Sequence, residues 1–246
     1  MKTLTDVKNN FDENLKMVDQ IVNIGSDVGN LAVNFLEGLE KQNEALSGFI
    51  PYKQKLGIVI QTIKDIKDAP QIKSKYEIIL NQALVLVVEN FESFLNDCVK
   101  VIINCYPGII EWPEKKKILP VNVDVLRYSS PTVGDLVMAS LKGEINFQDL
   151  QSTLRFFKDY LKIDFDLKNK DNIIFAQALR NIIVHNSNTV DHGFLSQIRN
   201  TGYAEKFKDK ERIMLSEIKY RELLGDFSGF SEKIIKELKS KIEIEP

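Results

Sequence analysis

The chain has 246 residues, 43% of them hydrophobic and 28% charged, which is enough apolar content for a real core and too evenly mixed for a disordered chain. Its 33 basic and 35 acidic side chains leave a net charge of -2, which excludes attachment to nucleic acid by bulk charge, so any such contact must be local. With only two cysteines and two histidines, far apart from each other in sequence, a zinc centre has too few ligands, and no metal or cofactor is expected.

The chain opens with a polar amphipathic stretch rather than a charged-then-apolar leader. Phe11, Leu15, Val18, Val22, Gly25, Gly29, Ala32, Leu36 and Leu39 recur alternately four and three apart, the heptad seam of a helix held against a partner. The two glycines weaken such a helix by about 1 kcal/mol each, yet one long or gently kinked helix is favoured over a break at Gly25-Ser26-Asp27. Gly48 to Pro51 is a stop, and Tyr52 to Asp68 reads as a returning helix. Residues 1–69 are therefore expected to form a helical hairpin arm, separable at Ala69-Pro70 from a domain over 70–246. No apolar run looks long enough to span a bilayer. The nearest, Ile21 to Leu39, is broken by Asp27 and Glu37, and a cytoplasmic protein is expected.

Lys73 to Cys105 is the most apolar helix, covered by apolar residues round most of its circumference and so expected at the centre of a bundle. Glu89 and Glu92, three apart, interrupt it on one side. Cys98 and Cys105 lie two turns apart on this helix, too far to bridge, and are expected as buried thiols. Tyr106 to Thr132, with its prolines and EKKK run, reads as an irregular connection with room for one short helix. Phe147 to Leu161 carries a helical stripe of Leu150, Leu154, Phe157 and Leu161. Asp171 to His185 is the next helix, with Asp171 or Asn172 as cap, Ile174, Ala178 and Ile182 inward, and Asn186, Ser187 and Asn188 ending it. A short apolar piece at Phe194 to Ile198, a turn at Asn200 to Gly202 and an extended Ile213 to Leu215 precede a last helix from Ser216 to Ile242, with a break expected near Gly225 to Gly229.

One place is chemically unusual: Arg180, Asn181, His185 and Asn186, at the end of an otherwise apolar helix. Histidine titrates near neutrality and serves as base or acid, while arginine offers a fixed positive fork to phosphate oxygens. Asn181 and His185 are four apart and share a face, and either asparagine could orient the imidazole or a substrate. Arg180 lies about 140° round the helix from His185, so one helix does not easily aim both at one atom. Two copies crossing at a twofold axis could supply both groups to one cleft. Glu92 is the carboxylate expected to position Arg180 across the bundle. The plainer reading is a capping histidine and a solvated arginine, which the helix dipole also favours. The lysines of EKKK and of Lys206 to Arg212 are the only electrostatic footprint for RNA outside the cleft.

The segment RNIIVH, the apolar acidic helix VVENFESFLNDCV before it and NSNTVDHGFL after it resemble the R-x4-6-H motif and surroundings of the HEPN superfamily, over about Lys73 to Ile242. The resemblance implies an all-α, HEPN-like helical bundle, usually a homodimer with the motif at its interface. It implies a metal-independent endoribonuclease of the toxin or phage-defence type, with RNA as substrate and an antitoxin or defence protein as a further partner. Arg180 and His185 would be catalytic, with Asn181, Asn186 and Glu92 supporting. Members with nucleotidyltransferase antitoxins carry a tyrosine two residues after the histidine; Ser187 stands there instead. The alternative is a non-catalytic RNA-binding or protein-interaction module.

Overall fold

The computed structural model describes residues 2–44, 61, 70–110, 132–141, 145–165 and 169–244. Among these the protein is all-helical: α1 (Leu4–Glu44), α2 (Pro70–Cys105), a 3-10 turn (Pro107–Ile109), α3 (Val133–Ser140), α4 (Leu150–Leu161), α5 (Lys170–His185), α6 (His192–Ile198) and α7 (Glu217–Ile244). An isolated antiparallel bridge joins Thr189 and Arg212. α1 runs unbroken through Gly25 and Gly29, as the favoured reading had it, while the break expected near Gly225 to Gly229 does not occur in α7. In α7 the buried Leu223, Phe227 and Phe230 on either side of the glycines outweigh a penalty of about 1 kcal/mol per glycine. The Tyr52 to Asp68 return helix and the EKKK run lie outside the described residues.

The central helix is α2, which packs against α1, α3, α5 and α7. Leu80, Leu84, Val87, Val88, Phe91, Phe94, Leu95, Cys98 and Ile102 are all buried along it. By length and composition Tyr76–Cys105 is apolar enough to cross a membrane, contrary to the expectation that no run is, and most of its apolar window is buried inside the bundle. Of the two thiols only Cys98 is fully buried; Cys105, in the last turn, is half-buried.

α1 lies antiparallel to α2. Phe11 sits between Phe91 and Phe94, with ring centroids 6.1 and 4.9 Å away, and Phe91 in turn meets Phe227 and Phe230 of α7 at 5.0 and 5.5 Å. The seam predicted for α1 is buried at Phe11, Leu15, Val18 and Val22 and extends back to Leu4 and Val7. These six side chains belong to the same core as α2 and α7. The boundary drawn at Ala69-Pro70 therefore does not divide the core: Leu4 to Val22 is bundle rather than arm. Polar ties follow the same packing. Tyr76 donates to Glu217 (2.8 Å), and Arg221 donates to Glu217 (2.8 Å) and to Asp19 (3.2 Å).

α4 begins one residue after its cap Asp149, which accepts from Gln151, and its apolar stripe is buried except for half-buried Leu154. α5 starts at Lys170, and neither expected residue caps it. Asp171 accepts instead from the Gly202 backbone N–H (2.8 Å), and Asn172 donates to Glu222 of α7 (2.9 Å). Gln177, buried in mid-helix, accepts from the Leu150 N–H (2.9 Å) and donates to the Phe147 carbonyl (3.1 Å), closing the start of α4 from outside. Ile174, Ala178 and Ile182 face the core as expected.

Because the α1 seam buries whole aromatic and aliphatic side chains, Phe11→Ala should cost about 3–5 kcal/mol, while Met17→Ala on the exposed side should change stability by less than about 0.5 kcal/mol. Chemical denaturation followed by circular dichroism measures both. A fragment starting at Pro70 is expected to be molten or insoluble; a sharp thermal transition in that fragment would show that α1 is dispensable to the core.

Candidate active site

The candidate residues lie in the last two turns of α5. The buried face of the helix is apolar apart from Gln177, and Ile182 is its last fully buried residue. Beyond it the chain turns on Asn186, Ser187 and Asn188. The N–H groups of Asn186 and Asn188 both donate to the Ile182 carbonyl, at 2.9 and 3.0 Å. Ser187 and Asn188 have φ of 49° and 65°, left-handed conformations that short polar residues tolerate. The expected end of the helix is thus found, with its orphan carbonyl satisfied.

Arg180 points across to α2. One terminal nitrogen donates to Glu89 Oε1 at 3.1 Å, and the other to Asn181 Oδ1 at 3.2 Å. Its side chain is only 13% exposed, against 50% for Glu89. Its Nε–H is buried without a partner among the described residues, so the guanidinium is not fully satisfied within the chain. The sequence reading gave the positioning role to Glu92, but the direct ion pair is with Glu89. Glu92 is half-buried one turn along, bonded to Gln148, and feels the Arg180 charge without bonding it. Burial pushes the Glu92 carboxyl above the usual carboxylate range, and Arg180 opposes that rise.

The two asparagines serve the scaffold. Asn181 accepts from Arg180 and donates to Gln197 Oε1 of α6 at 3.2 Å, so it orients the arginine rather than the imidazole. Asn186 donates to the Thr189 carbonyl at 2.7 Å and locks the turn. His185 is exposed in the final turn, beside Val184, which is 49% exposed. Arg180 and His185 thus diverge as their spacing requires, one held inward and one free to meet a ligand. Glu89, Gln148 and Gln197 escaped the sequence reading. The interruption of α2 by Glu89 and Glu92 was visible there, but nothing local chose between the two.

The end of α5 thus offers an exposed imidazole and, on a diverging face, a mostly buried cation held by Glu89 with Glu92 one turn along. Comparison with protein-family models, with curated proteins and with solved structures returns no match.

The Glu92 shift has a measurable sign. A carboxyl whose folded pKa is raised stabilises the fold below its unfolded pKa of 4.5 and loses that contribution as pH rises through the folded value. Glu92→Gln should therefore raise the melting temperature at pH 7, with the gain shrinking towards zero below about pH 4. Melting curves across pH 3.5–8 test it; a variant less stable at pH 7 would mean that attraction to Arg180 outweighs burial.

Proposed function

We propose that this chain is a HEPN-like, metal-independent endoribonuclease acting as a toxin or phage-defence effector. The observation that carries this reading is the arrangement of RNIIVH: an exposed histidine in the terminal turn of α5, and an arginine held against the acidic side of the central apolar helix. His185 would take the proton from a ribose 2′-hydroxyl, whose oxygen attacks the adjacent phosphorus. The bond from phosphorus to the 5′-oxygen breaks, and a histidine, supplied by a second copy, protonates the leaving oxygen. The products are a 2′,3′-cyclic phosphate and a 5′-hydroxyl. Arg180 stabilises charge developing on the phosphoryl oxygens once a terminal nitrogen leaves Glu89. A homodimer through α5 would bring two arginines and two histidines to one cleft, which answers the divergence within each helix.

A second reading is favoured by one specific observation. Arg180 is mostly buried and already paired within its own chain, as a structural arginine would be. On that view the protein is a binding module, and the motif only ties α5 to α2.

The two readings separate in one assay. Purified protein should cleave RNA in EDTA and leave DNA intact, because DNA lacks the 2′-hydroxyl. His185→Ala should lower the rate by about 10²–10⁴-fold and Arg180→Ala by about 10²–10³-fold, with helicity unchanged. Cleavage at wild-type rates by both variants would put the active site elsewhere, a monomer by light scattering at working concentration would rule out the composite site, and no cleavage by the wild-type chain would leave the binding module.

A further inference from the structure

The turn after His185 is joined to a segment more than twenty residues further on. The Val190 N–H donates to the Glu211 carbonyl (2.8 Å), the Lys210 N–H to the Val190 carbonyl (3.0 Å), and the Ile213 N–H to the Asn188 carbonyl (2.9 Å). The Thr189–Arg212 bridge lies between them. Ile213 and Leu215 are buried and anchor the segment, whereas Lys208, Lys210 and Arg212 are exposed. Three backbone bonds therefore set a row of cations beside the terminal turn of α5, three to five residues past His185 in the paired register.

Three details favour a binding role over a solvated loop. Lys210 has φ of 65°, where glycine is cheaper by about 1–2 kcal/mol, so the chain keeps a long cationic side chain at a strained position. Among the acidic neighbours, the Glu211 carboxylate turns back to accept from the Lys208 backbone N–H (2.9 Å), leaving Asp209 to face solvent. Arg212 is 67% exposed and only loosely paired, at 3.5 Å, with Glu77. In a chain of net charge -2, this is a local cationic edge stitched to the turn that follows the exposed His185.

We propose that Lys208, Lys210 and Arg212 form the phosphate-binding margin of the site, holding the backbone of single-stranded RNA on the side of His185 away from Glu89. The inference rests on the ribonuclease reading for its choice of ligand. Cations on phosphates fix the register of a strand without reading its bases, so the margin would position RNA and leave sequence choice elsewhere.

The test is binding of a fluorescein-labelled single-stranded RNA 12-mer to the full chain carrying His185→Ala, measured by anisotropy from 50 to 300 mM salt. On that background Lys208→Gln with Lys210→Gly removes two cations, and glycine suits the left-handed position. Each phosphate contact contributes about 0.7 to the slope of log K against log salt, so the slope should fall by about 1.4 and affinity by about tenfold at 150 mM. Arg212→Gln, accepted only if its melting curve is unchanged, should lower the slope by about a further 0.7. A matched loss of two cations, Lys236→Gln with Lys239→Gln, lies roughly 30 Å along α7 and should leave the slope unchanged. An unaltered slope in the loop variant, an equal loss in the distal control, or no RNA binding by the background protein would each overturn the proposal. Cleavage by the wild-type chain is read separately. Normal cutting with an unaltered slope removes this margin and keeps the nuclease, while slope-dependent binding without any cutting does the reverse.

Discussion

The fold depends on the burial of α2. A helix apolar round most of its circumference must be covered on several sides at once, and α1, α3, α5 and α7 do so. Each fully buried large apolar side chain contributes about 1.5–3 kcal/mol, and α2 supplies at least nine of them, so its rotation about its own axis is tightly set. What remains outside is a narrow strip in which Ile78, Gln82, Leu86, Glu89 and Ser93 recur at helical spacing and are all exposed. The strip ends up where it is because the rest of the helix cannot turn outward. α5 runs along its edge, which is how Arg180 comes to meet Glu89.

The same constraint shapes the electrostatics. Arg180 is drawn out of water by its position between α2 and α5, and Glu89 and Asn181 take up its two terminal nitrogens. With Glu89 half-exposed to solvent the pair is screened, so it orients the guanidinium more than it stabilises the bundle. Burial raises the Glu92 carboxyl above the usual carboxylate range, and the Arg180 charge opposes that rise. The arginine is therefore held, oriented and incompletely used, while the histidine at the end of the same helix has solvent access. A site completed by a second copy would exploit that asymmetry; a purely structural motif would leave it idle.

The N-terminal helix joins two roles along its length. Its first part is core, through Leu4, Val7, Phe11, Leu15, Val18 and Val22, and on its other side Met17, Ile21 and Ile24 are exposed. The heptad reading caught the buried seam. It failed at the domain boundary, because a seam says that a partner exists and not which one. The partners are α2 and α7, distant in sequence: Phe91 of α2 closes on Phe11 and is met in turn by Phe227 of α7.

Much was legible in the residues because helix periodicity is local. The all-helical class, the central place of α2, the inward face of α5 and the left-handed stop at Ser187 and Asn188 all follow from spacing and backbone preference over a turn or two. The candidate pair Arg180 and His185 was legible for the same reason, as was its divergence by about 140°. The continuity of α7 through its glycines was harder to read than that of α1, since packing contributes more than propensity. What tertiary structure alone decided were the pairings between segments far apart in the chain: Glu89 rather than Glu92 on Arg180, Asn181 turned to Gln197, Gln177 closing the start of α4, and the cationic edge of Lys208 to Arg212 laid beside His185. Each depends on the rotation and register of two helices packed together, and no repeat within either one encodes it.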